Sequence, residues 1–218
     1  MKIIITGWNG FIGRNVMKKL IDDHECQLID SDLIDRPSWK NQLDFYVQNT
    51  DVILHIGAIS DTTLQDSNEM LKYNYIFSKN LFDLAKKYNK KVIYSSSAAN
   101  TGTDGTPSNI YGWSKLLAEQ YGLALNFDFV ALRYFNVYGP GEERKGKMAS
   151  VAYQSYQNGS FMLFPQKPKR DFVYVKDIVS ATIYPLFNNI ESGVYEVGSG
   201  EARLFEDVLD LMEIPYEY

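Results

Sequence analysis

Cysteine is scarce in this sequence, long apolar runs are absent, and no large charge of either sign is present. Cys26 is the single cysteine among 218 residues, so no intramolecular disulfide can form, and its place in the expected second strand favours a packed side chain over a nucleophile. No apolar stretch approaches the ~20 residues of a membrane span, and residues 1–5 lead into no cleavage site, so we expect a cytoplasmic protein. The net charge of -5 argues against nucleic acid as a general partner. No metal site is predicted.

Strand-like and helix-like segments alternate along the chain, which predicts an α/β fold with a doubly wound, mostly parallel sheet. We expect strands near 2–6, 26–30, 51–55, 91–95, 128–133 and 193–197. We expect helices near 11–22, 38–48, 67–88, 111–125, 176–188 and 203–212. After Pro140 the alternation loosens, with a helix near 147–158 and strands near 161–164 and 171–175. This second half is expected to form a small, discontinuous lobe.

A glycine-rich turn follows the first strand and leads directly into the first helix. Glycines at 7, 10 and 13 would permit a tight turn, close approach of a pyrophosphate to the backbone, and close packing of the helix. The second strand ends in Asp30, the place where an acidic residue meets the adenosine ribose in dinucleotide-binding folds. The predicted cofactor-binding residues here are Gly7, Asn9, Gly10, Phe11, Ile12, Gly13 and Asp30.

Two later strands end in small residues at the edge where a doubly wound sheet binds ligands. Gly57 and Ala58 follow the third strand and would leave room for a dinucleotide, although a simple turn is the alternative. Three serines, 95 to 97, end the fourth strand, and any one of them could contact a reacting oxygen or merely form a turn. His55 is interpreted as a packed strand residue.

The segment Tyr111-Gly-Trp-Ser-Lys115 places a phenol and an ammonium four residues apart, on one face of a helix. A nearby cation favours the phenolate, so such a pair can exchange protons with a hydroxyl near neutral pH. With 16 tyrosines in the chain, this spacing alone could arise by chance. The other motifs in the chain therefore decide how the pair is interpreted.

These motifs together resemble the extended short-chain dehydrogenases/reductases, the family of nucleotide-sugar epimerases and dehydratases. The similarity follows the family's order across most of the chain. It comprises residues 6–13, His55-Ile-Gly-Ala58, Asn74, residues 95–99, Tyr111 to Lys115, and Arg133-Tyr-Phe-Asn-Val-Tyr-Gly-Pro140. The resemblance implies a Rossmann-like fold, a bound NAD(P), and a catalytic Ser97 that hydrogen-bonds the reacting oxygen. It further implies Tyr111 as acid/base, Lys115 as the group that fixes the nicotinamide ribose and lowers the pKa of the tyrosine, and Asn74 facing the cofactor.

Within the family, the similarity is greatest to epimerases acting at C6 of an ADP-linked glycero-manno-heptose, through residues 133–140, 145–152 and 169–175. This resemblance implies Lys145 as a second acid/base, with Asn136 and Arg170 holding the substrate diphosphate. The lysines at 145, 147, 167 and 169, with Arg170, would offset the charge of the anionic substrate. A homo-oligomer paired through the long helices near 67–88 and 111–125 is also implied.

Asp30 favours NAD, because a carboxylate accepts hydrogen bonds from a ribose 2′-hydroxyl and repels a 2′-phosphate. Arg14 and Arg36 are counter-evidence that keeps NADP as an alternative. The heptose epimerases that this sequence resembles also generally favour NADP. We expect a cofactor domain of residues 1–140 with about 171–200, and a substrate lobe of 141–170 and 201–218. Relative to the family, the segments after Asp30 and between Asn100 and Tyr111 are short, and the lobe is short at its C-terminal side. The alternatives are a UDP-hexose 4-epimerase or related oxidoreductase, and a catalytically silent dinucleotide-binding module.

Overall fold

A six-stranded parallel sheet forms the centre of the protein in a computed structural model that describes residues 1–102 and 104–218. Its strands are β1 (Lys2–Thr6), β2 (Glu25–Ile29), β3 (Val52–His55), β4 (Lys91–Ser97), β5 (Phe129–Tyr134) and, later in the chain, β9 (Gly193–Val197). They lie side by side in the order β2, β1, β3, β4, β5, β9. Each pair is parallel. This confirms the predicted Rossmann-like class.

Helices cover both faces of the sheet, as a doubly wound fold requires. They are α1 (Phe11–Leu20), α2 (Trp39–Gln48), α3 (Ser67–Leu71), α4 (Phe77–Lys87), α5 (Ile110–Ala124), α6 (Val151–Asn158), α7 (Val175–Phe187) and α8 (Phe205–Leu211). One core cluster joins the sheet to α2, α4 and α5, and a second joins it to α1 and α7. Alternate strand residues point into these two cores, which explains the apolar, β-branched strand sequences.

Five short strands complete the second half of the chain. They are β6 (Asn136–Tyr138), β7 (Phe161–Met162), β8 (Lys169–Tyr174), β10 (Ala202–Leu204) and β11 (Tyr216–Glu217). Strand β8 pairs with β6 and β10, and β7 pairs with β11. A third, small core of Val151, Leu163 and Leu209 lies under these elements. The sequence did not predict β6, β10 or β11, because strands of two or three residues are too short to show a period.

Most of the predicted elements agree with the structure to within two residues at each end, and the differences described here concern three of them. The helix expected over 67–88 is interrupted by a π-helical turn, Lys72–Ile76, between α3 and α4. The side chain of Asn74 in this turn bonds the backbone of Ile59, both accepting from its N–H at 2.7 Å and donating to its carbonyl at 2.9 Å. The helix expected from 147 begins at Val151, after a 3₁₀ segment, Glu142–Met148, that is kinked at Gly146. The strand expected over 161–164 ends at Met162.

Candidate active site

The glycine turn between β1 and α1 has the close backbone packing that its sequence predicts. Gly7 has φ of +65°, and a Cβ atom there would lie 2.4 Å from the Cα of Gly57. A Cβ atom on Gly13 would lie 2.1 Å from the carbonyl oxygen of Gly7. No side chain therefore fits at either position, and the first turn of α1 presents its N–H groups, with no acidic residue among them, to whatever lies above the turn.

A cavity of about 670 Å³ opens above this turn, at the carboxyl edge of the sheet. The expected cofactor-binding residues that line it are Gly7, Asn9, Gly10, Phe11, Ile12, Gly13, Asp30, Gly57, Ala58, Tyr111 and Lys115. Ser97, Asn136 and Lys145, expected to contact substrate, line it too. Residues far apart in sequence thus meet at one edge because parallel strands all end there. The glycine trio, the polar backbone and the volume fit a dinucleotide with a second ligand beside it.

Asp30 closes one end of the cavity together with Ser31 and Asp32. Burial and the neighbouring Asp32 raise the pKa of the Asp30 carboxyl above its ordinary value, while the Gly7 backbone amide opposes the shift. Neither Arg14 nor Arg36 is among the residues that line the cavity. A ribose at this end would meet hydroxyl and carboxylate acceptors rather than cations.

Tyr111 and Lys115 lie in the first two turns of α5, which Asn109 caps by accepting a hydrogen bond from the Gly112 amide at 2.8 Å. Gly112 permits close packing, because a Cβ atom there would lie 2.5 Å from the Ala99 carbonyl oxygen. This contact holds the start of α5 against the end of β4, beside Ser97. Ser97 accepts a hydrogen bond from the Ala99 amide at 3.2 Å.

The ionisation of the Tyr111–Lys115 pair differs from the expectation. Burial raises the pKa of the half-buried Tyr111 phenol, and the Ser97 hydroxyl only partly offsets this. Burial lowers the pKa of Lys115 to about 7, against an opposing effect of Glu119. The expectation that Lys115 lowers the pKa of Tyr111 is therefore not met, because burial raises the pKa of the phenol and a lysine this deeply desolvated is itself only partly charged at neutral pH.

Lys145 is anchored rather than solvated. Its Nζ donates to the Val137 carbonyl at 3.0 Å and pairs with Glu142 at 3.1 Å. Glu142 is 2% exposed and also accepts hydrogen bonds from the Gly139 and Ser150 amides. The exposed charged loop that the sequence alone would suggest is thus a fixed structure, and it presents Lys145 to the cavity.

Residues 139–148, which we call the crossing segment, connect the loops that follow two different strands. Arg144 donates to the carbonyl and side-chain oxygens of Asn9, after β1, at 3.3 and 3.1 Å. Lys147 pairs with Asp61, after β3, at 2.9 Å and donates to Thr63 at 2.7 Å. The segment therefore lies across one side of the cavity.

Two expected site residues lie elsewhere. Asn74 is 1% exposed, and its side chain is fully engaged with Ile59, Met70 and Ser114 behind the cavity wall. Arg170 is exposed on β8 and donates to the Lys169 carbonyl. Neither residue lines the cavity. Of the five cations expected to offset the substrate charge, only Lys145 lines the cavity. Lys147 pairs with Asp61, and Lys167 pairs with Glu206.

Sequence reasoning missed a buried polar cluster beneath Lys115. Glu119, one helical turn further along α5, is 0% exposed and contacts Ser96, Asn100 and Arg133. The available signal was its spacing of four residues from Lys115. Nothing local indicated that Arg133 would reach it from β5. Tyr134, Phe135 and Arg144 also line the cavity without having been predicted as site residues.

His55 occupies the packed position that the sequence suggested. Its ring nitrogens bond the Thr6 and Ser78 hydroxyls, each at 2.7 Å. Burial and the charge of Lys115 hold its pKa well below the ordinary value. Among residues 1–102 and 104–218, no group of three or more His, Cys, Asp or Glu side chains could hold a metal ion. In the same residues, no helix has both the length and the apolar character needed to cross a membrane.

Comparison with known proteins agrees with this geometry. The model of a family described as the NAD dependent epimerase/dehydratase family matches residues 3–198. An ADP-L-glycero-D-manno-heptose-6-epimerase from Cupriavidus pinatubonensis is 34% identical over 252 residues, covering 95% of this chain and 76% of the relative. The matched 252 residues exceed the 218 of this chain, so this chain is shorter within the matched region.

Solved structures give the same result. The Helicobacter pylori ADP-L-glycero-D-manno-heptose-6-epimerase superimposes with a TM-score of 0.87 at 29% identity, covering 100% of this chain and 83% of that one. A UDP-N-acetylglucosamine 4-epimerase from Methanobrevibacter ruminantium, in complex with UDP-N-acetylmuramic acid, gives 0.84 at 27% identity, covering 100% and 86%.

Proposed function

Since this chain belongs to the NAD-dependent epimerase/dehydratase family, we propose that it is an epimerase that inverts C6 of an ADP-linked glycero-manno-heptose by transient oxidation and re-reduction. One observation carries the proposal: Ser97, Tyr111, Lys115 and Lys145 line the same cavity as the glycine turn. Acid/base groups and a dinucleotide cradle in one cavity are what such a reaction needs.

The glycine turn and Asp30 would hold NAD, which would supply the hydride chemistry at the sugar carbon. The chain's own residues manage the proton. In the first orientation of the sugar, Tyr111 takes the hydroxyl proton as the carbonyl forms, while Ser97 hydrogen-bonds the reacting oxygen. Because burial raises the pKa of Tyr111, its strength as a base depends on positive charge nearby, and Lys115 supplies that charge when protonated.

Lys145 serves the second orientation of the sugar. Returning hydride to the other face requires the intermediate to turn, which moves its oxygen away from Tyr111. A second proton donor on another wall of the cavity then becomes necessary. Lys145 is held by Glu142 and Val137 on a wall contributed by the crossing segment. Asn136 also lines the cavity and is available to the substrate diphosphate. Arg170, the other residue expected at the diphosphate, is exposed on β8 and is not among the residues that line the cavity.

NAD rather than NADP is supported by the family and by the acidic end of the cavity. The family model is described as NAD dependent. Asp30 and Asp32 line the end of the cavity where the adenosine ribose is expected, and their carboxylates would repel the 2′-phosphate of NADP. Fluorescence titration should give a lower Kd for NADH than for NADPH. Tighter binding of NADPH would reverse the assignment.

Nuclear magnetic resonance of the sugar tests the substrate. Purified protein with NAD should interconvert the C6 epimers of ADP-glycero-manno-heptose and leave UDP-glucose and UDP-N-acetylglucosamine unchanged. Turnover of a UDP-hexose at C4 alone would favour the alternative that the 27% identical 4-epimerase represents. A protein that binds NAD but turns over none of these sugars, and reduces no NAD with them, would be a catalytically silent module.

A homo-oligomer and a two-part domain organisation complete the proposal. Trp113 and Leu117, one turn apart on α5, are 45% and 42% exposed, which supports pairing of this helix between subunits. Light scattering should show a dimer or larger species that Trp113→Asp dissociates. The separate core of Val151, Leu163 and Leu209 supports a substrate lobe of residues 141–170 and 201–218, beside a cofactor domain of 1–140 with about 171–200.

A further inference from the structure

The buried cluster around Glu119 joins the three elements that carry the site. Ser96 of β4 donates to the Glu119 carboxylate at 2.6 Å. Arg133 of β5 donates to both carboxylate oxygens, at 3.0 and 2.6 Å. Ser96 and Arg133 are themselves partners across the β4–β5 ladder. A carboxylate on α5 therefore holds the ends of two adjacent strands with charge-assisted hydrogen bonds, which are the strong kind.

This attachment lies one residue from Ser97 and four from Lys115. Asn100, just after β4, adds a hydrogen bond to the same carboxylate at 3.1 Å. The position of the serine that ends β4 relative to the phenol and amine of α5 is thus set at Glu119. A displacement of even 1 Å between such groups is enough to impair catalysis.

Charge is the second property of Glu119 that matters. Lys115 is 2% exposed, and its Nζ lies 4.2 Å from the centre of the Tyr94 ring. The Glu119 carboxylate pairs directly with Arg133 rather than with this amine. The titratable groups around it are His55, Tyr94, Tyr111, Glu119 and, beyond Glu119, Arg133.

Most of these groups are neutral near pH 7. The pKa of His55 is lowered well below its ordinary value by burial, and that of Tyr94 is raised well above it, also by burial. The pKa of Tyr111 is raised as well. Glu119 is then the anion whose field opposes the desolvation of Lys115.

We propose that Glu119 is a positioning residue that fixes α5 against the strand bearing Ser97 and keeps Lys115 protonated for cofactor binding. Glu119 is not among the residues that line the cavity, and it acts through Lys115 and, through the charge of Lys115, on Tyr111. The proposal rests on the proposed function in one respect: the cofactor must need the charged form of Lys115.

The pH dependence of NADH binding separates this role from simple structural support. Affinity in the wild type should fall as Lys115 loses its proton above about pH 7. Glu119→Gln removes the charge but keeps an oxygen that can accept from Arg133 and Ser96. In Glu119→Gln, the pH at which NADH affinity has fallen by half, the midpoint of the alkaline fall, should therefore be lower than in the wild type. A shift of about one pH unit is the size expected for removing one charge about one helical turn away in a partly polar interior.

Glu119→Asp is the matched control. It keeps the charge and shortens the side chain, so the midpoint should stay near that of the wild type while affinity falls at every pH. If Glu119→Gln does not give a native circular dichroism spectrum, the double change Glu119→Gln with Arg133→Met provides the same test without an unpaired buried ion. It too should lower the midpoint, because Glu119 is the nearer of the two charges.

Binding of NADH by wild type and both charge-removing variants with one common midpoint would overturn the proposal for Glu119 and leave the proposed function standing. Failure of the wild type to bind NADH at any pH would contradict the proposed function, and the proposal for Glu119 with it. If the midpoint is lowered in the two charge-removing variants and not in Glu119→Asp, the result supports the proposed function and the proposal for Glu119.

Discussion

Tyr111 shows how little a residue's sequence position says about its ionisation. The Tyr–Lys spacing predicted a phenol made acidic by a neighbouring cation, whereas burial raises the pKa of Tyr111 and lowers that of Lys115 to about 7. Two groups that must exchange protons are thus both desolvated, and each becomes responsive to charge added nearby. A cavity that binds a charged cofactor is suited to such groups.

Replacing Tyr111 by Phe tests the role of the phenol oxygen. The ring keeps its packing, so NADH affinity should change little, while turnover should fall by on the order of 10²–10⁴, the usual contribution of a general acid/base. The measurement is steady-state epimerisation with a parallel NADH titration. Wild-type turnover in Tyr111→Phe would rule out this residue as the acid/base.

Replacing Lys115 by Met should stabilise the protein, with a pH dependence whose sign follows from linkage. The folded pKa of about 7 lies below the ordinary 10.5, so the unfolded chain binds more protons between these values and wild-type stability rises with pH across that window. The cost of burying the charge is full below pH 7. The variant should therefore have its largest advantage there, and the advantage should shrink toward pH 10.

Thermal unfolding from pH 6 to 10 measures this difference, with Lys19→Met, at an exposed position of α1, as the control for ordinary lysine titration. The melting temperature of Lys115→Met should rise by ~2–4 °C for each kcal/mol that the substitution adds to the free energy of unfolding in a chain of this size. The same variant should lose NADH affinity. A constant offset between the two unfolding curves at every pH would show that Lys115 is not desolvated in the folded state.

At the scale of elements, the glycine turn works through the close packing of α1 on β1. Gly13→Ala would place a methyl group 2.1 Å from the Gly7 oxygen, whereas Gly10→Ala would place one at 3.3 Å from the same atom. Overpacking against backbone costs ~1–3 kcal/mol, so Gly13→Ala should lower the free energy of unfolding clearly more than Gly10→Ala. Urea unfolding of both variants decides this, and equal losses would mean that α1 can shift freely.

The crossing segment makes a prediction about Lys145. Lys145→Ala should stop net epimerisation while still allowing substrate to reduce bound NAD, seen as absorbance at the nicotinamide band, because the orientation served by Tyr111 is intact. Lys147→Ala, from the same segment, is the control: its ion pair with Asp61 is largely exposed, and such pairs contribute little. Equal epimerisation rates in wild type and Lys145→Ala would contradict a catalytic role and favour the C4-epimerase alternative.

Sequence predicted most elements because their signals are local. The period of apolar residues, the glycine trio and the Tyr–Lys spacing each lie within one strand, turn or helix. The π-helical turn was missed because no local pattern marks it, and the contacts that Asn74 makes there are to Ile59, 15 residues earlier in the chain. The anchoring of Lys145 was missed because it depends on Glu142 being buried in a segment that reads as a charged surface loop.

For the whole molecule, sheet order decides what the site contains. Strand β4 lies between β3 and β5, so Gly57, Ser97 and the end of β5 face one cavity, which a fold-level prediction can anticipate. The reach of Arg133 to Glu119 depends on the register of β5 beside β4 and on the rotation of α5. No periodicity in the sequence encodes these two quantities, so the cluster beneath Lys115 could only be found in three dimensions.

Transient oxidation at a sugar carbon is the central claim for the whole molecule, and epimerisation in D₂O tests it most directly. If hydride leaves C6 and returns from the same enclosed cofactor, the epimerised ADP-heptose should carry no solvent deuterium at C6 by nuclear magnetic resonance and mass spectrometry. Substrate deuterated at C6 should keep its label in H₂O. Incorporation of solvent deuterium at C6 in step with epimerisation would show that the carbon exchanges a proton, and would contradict an oxidation–reduction mechanism.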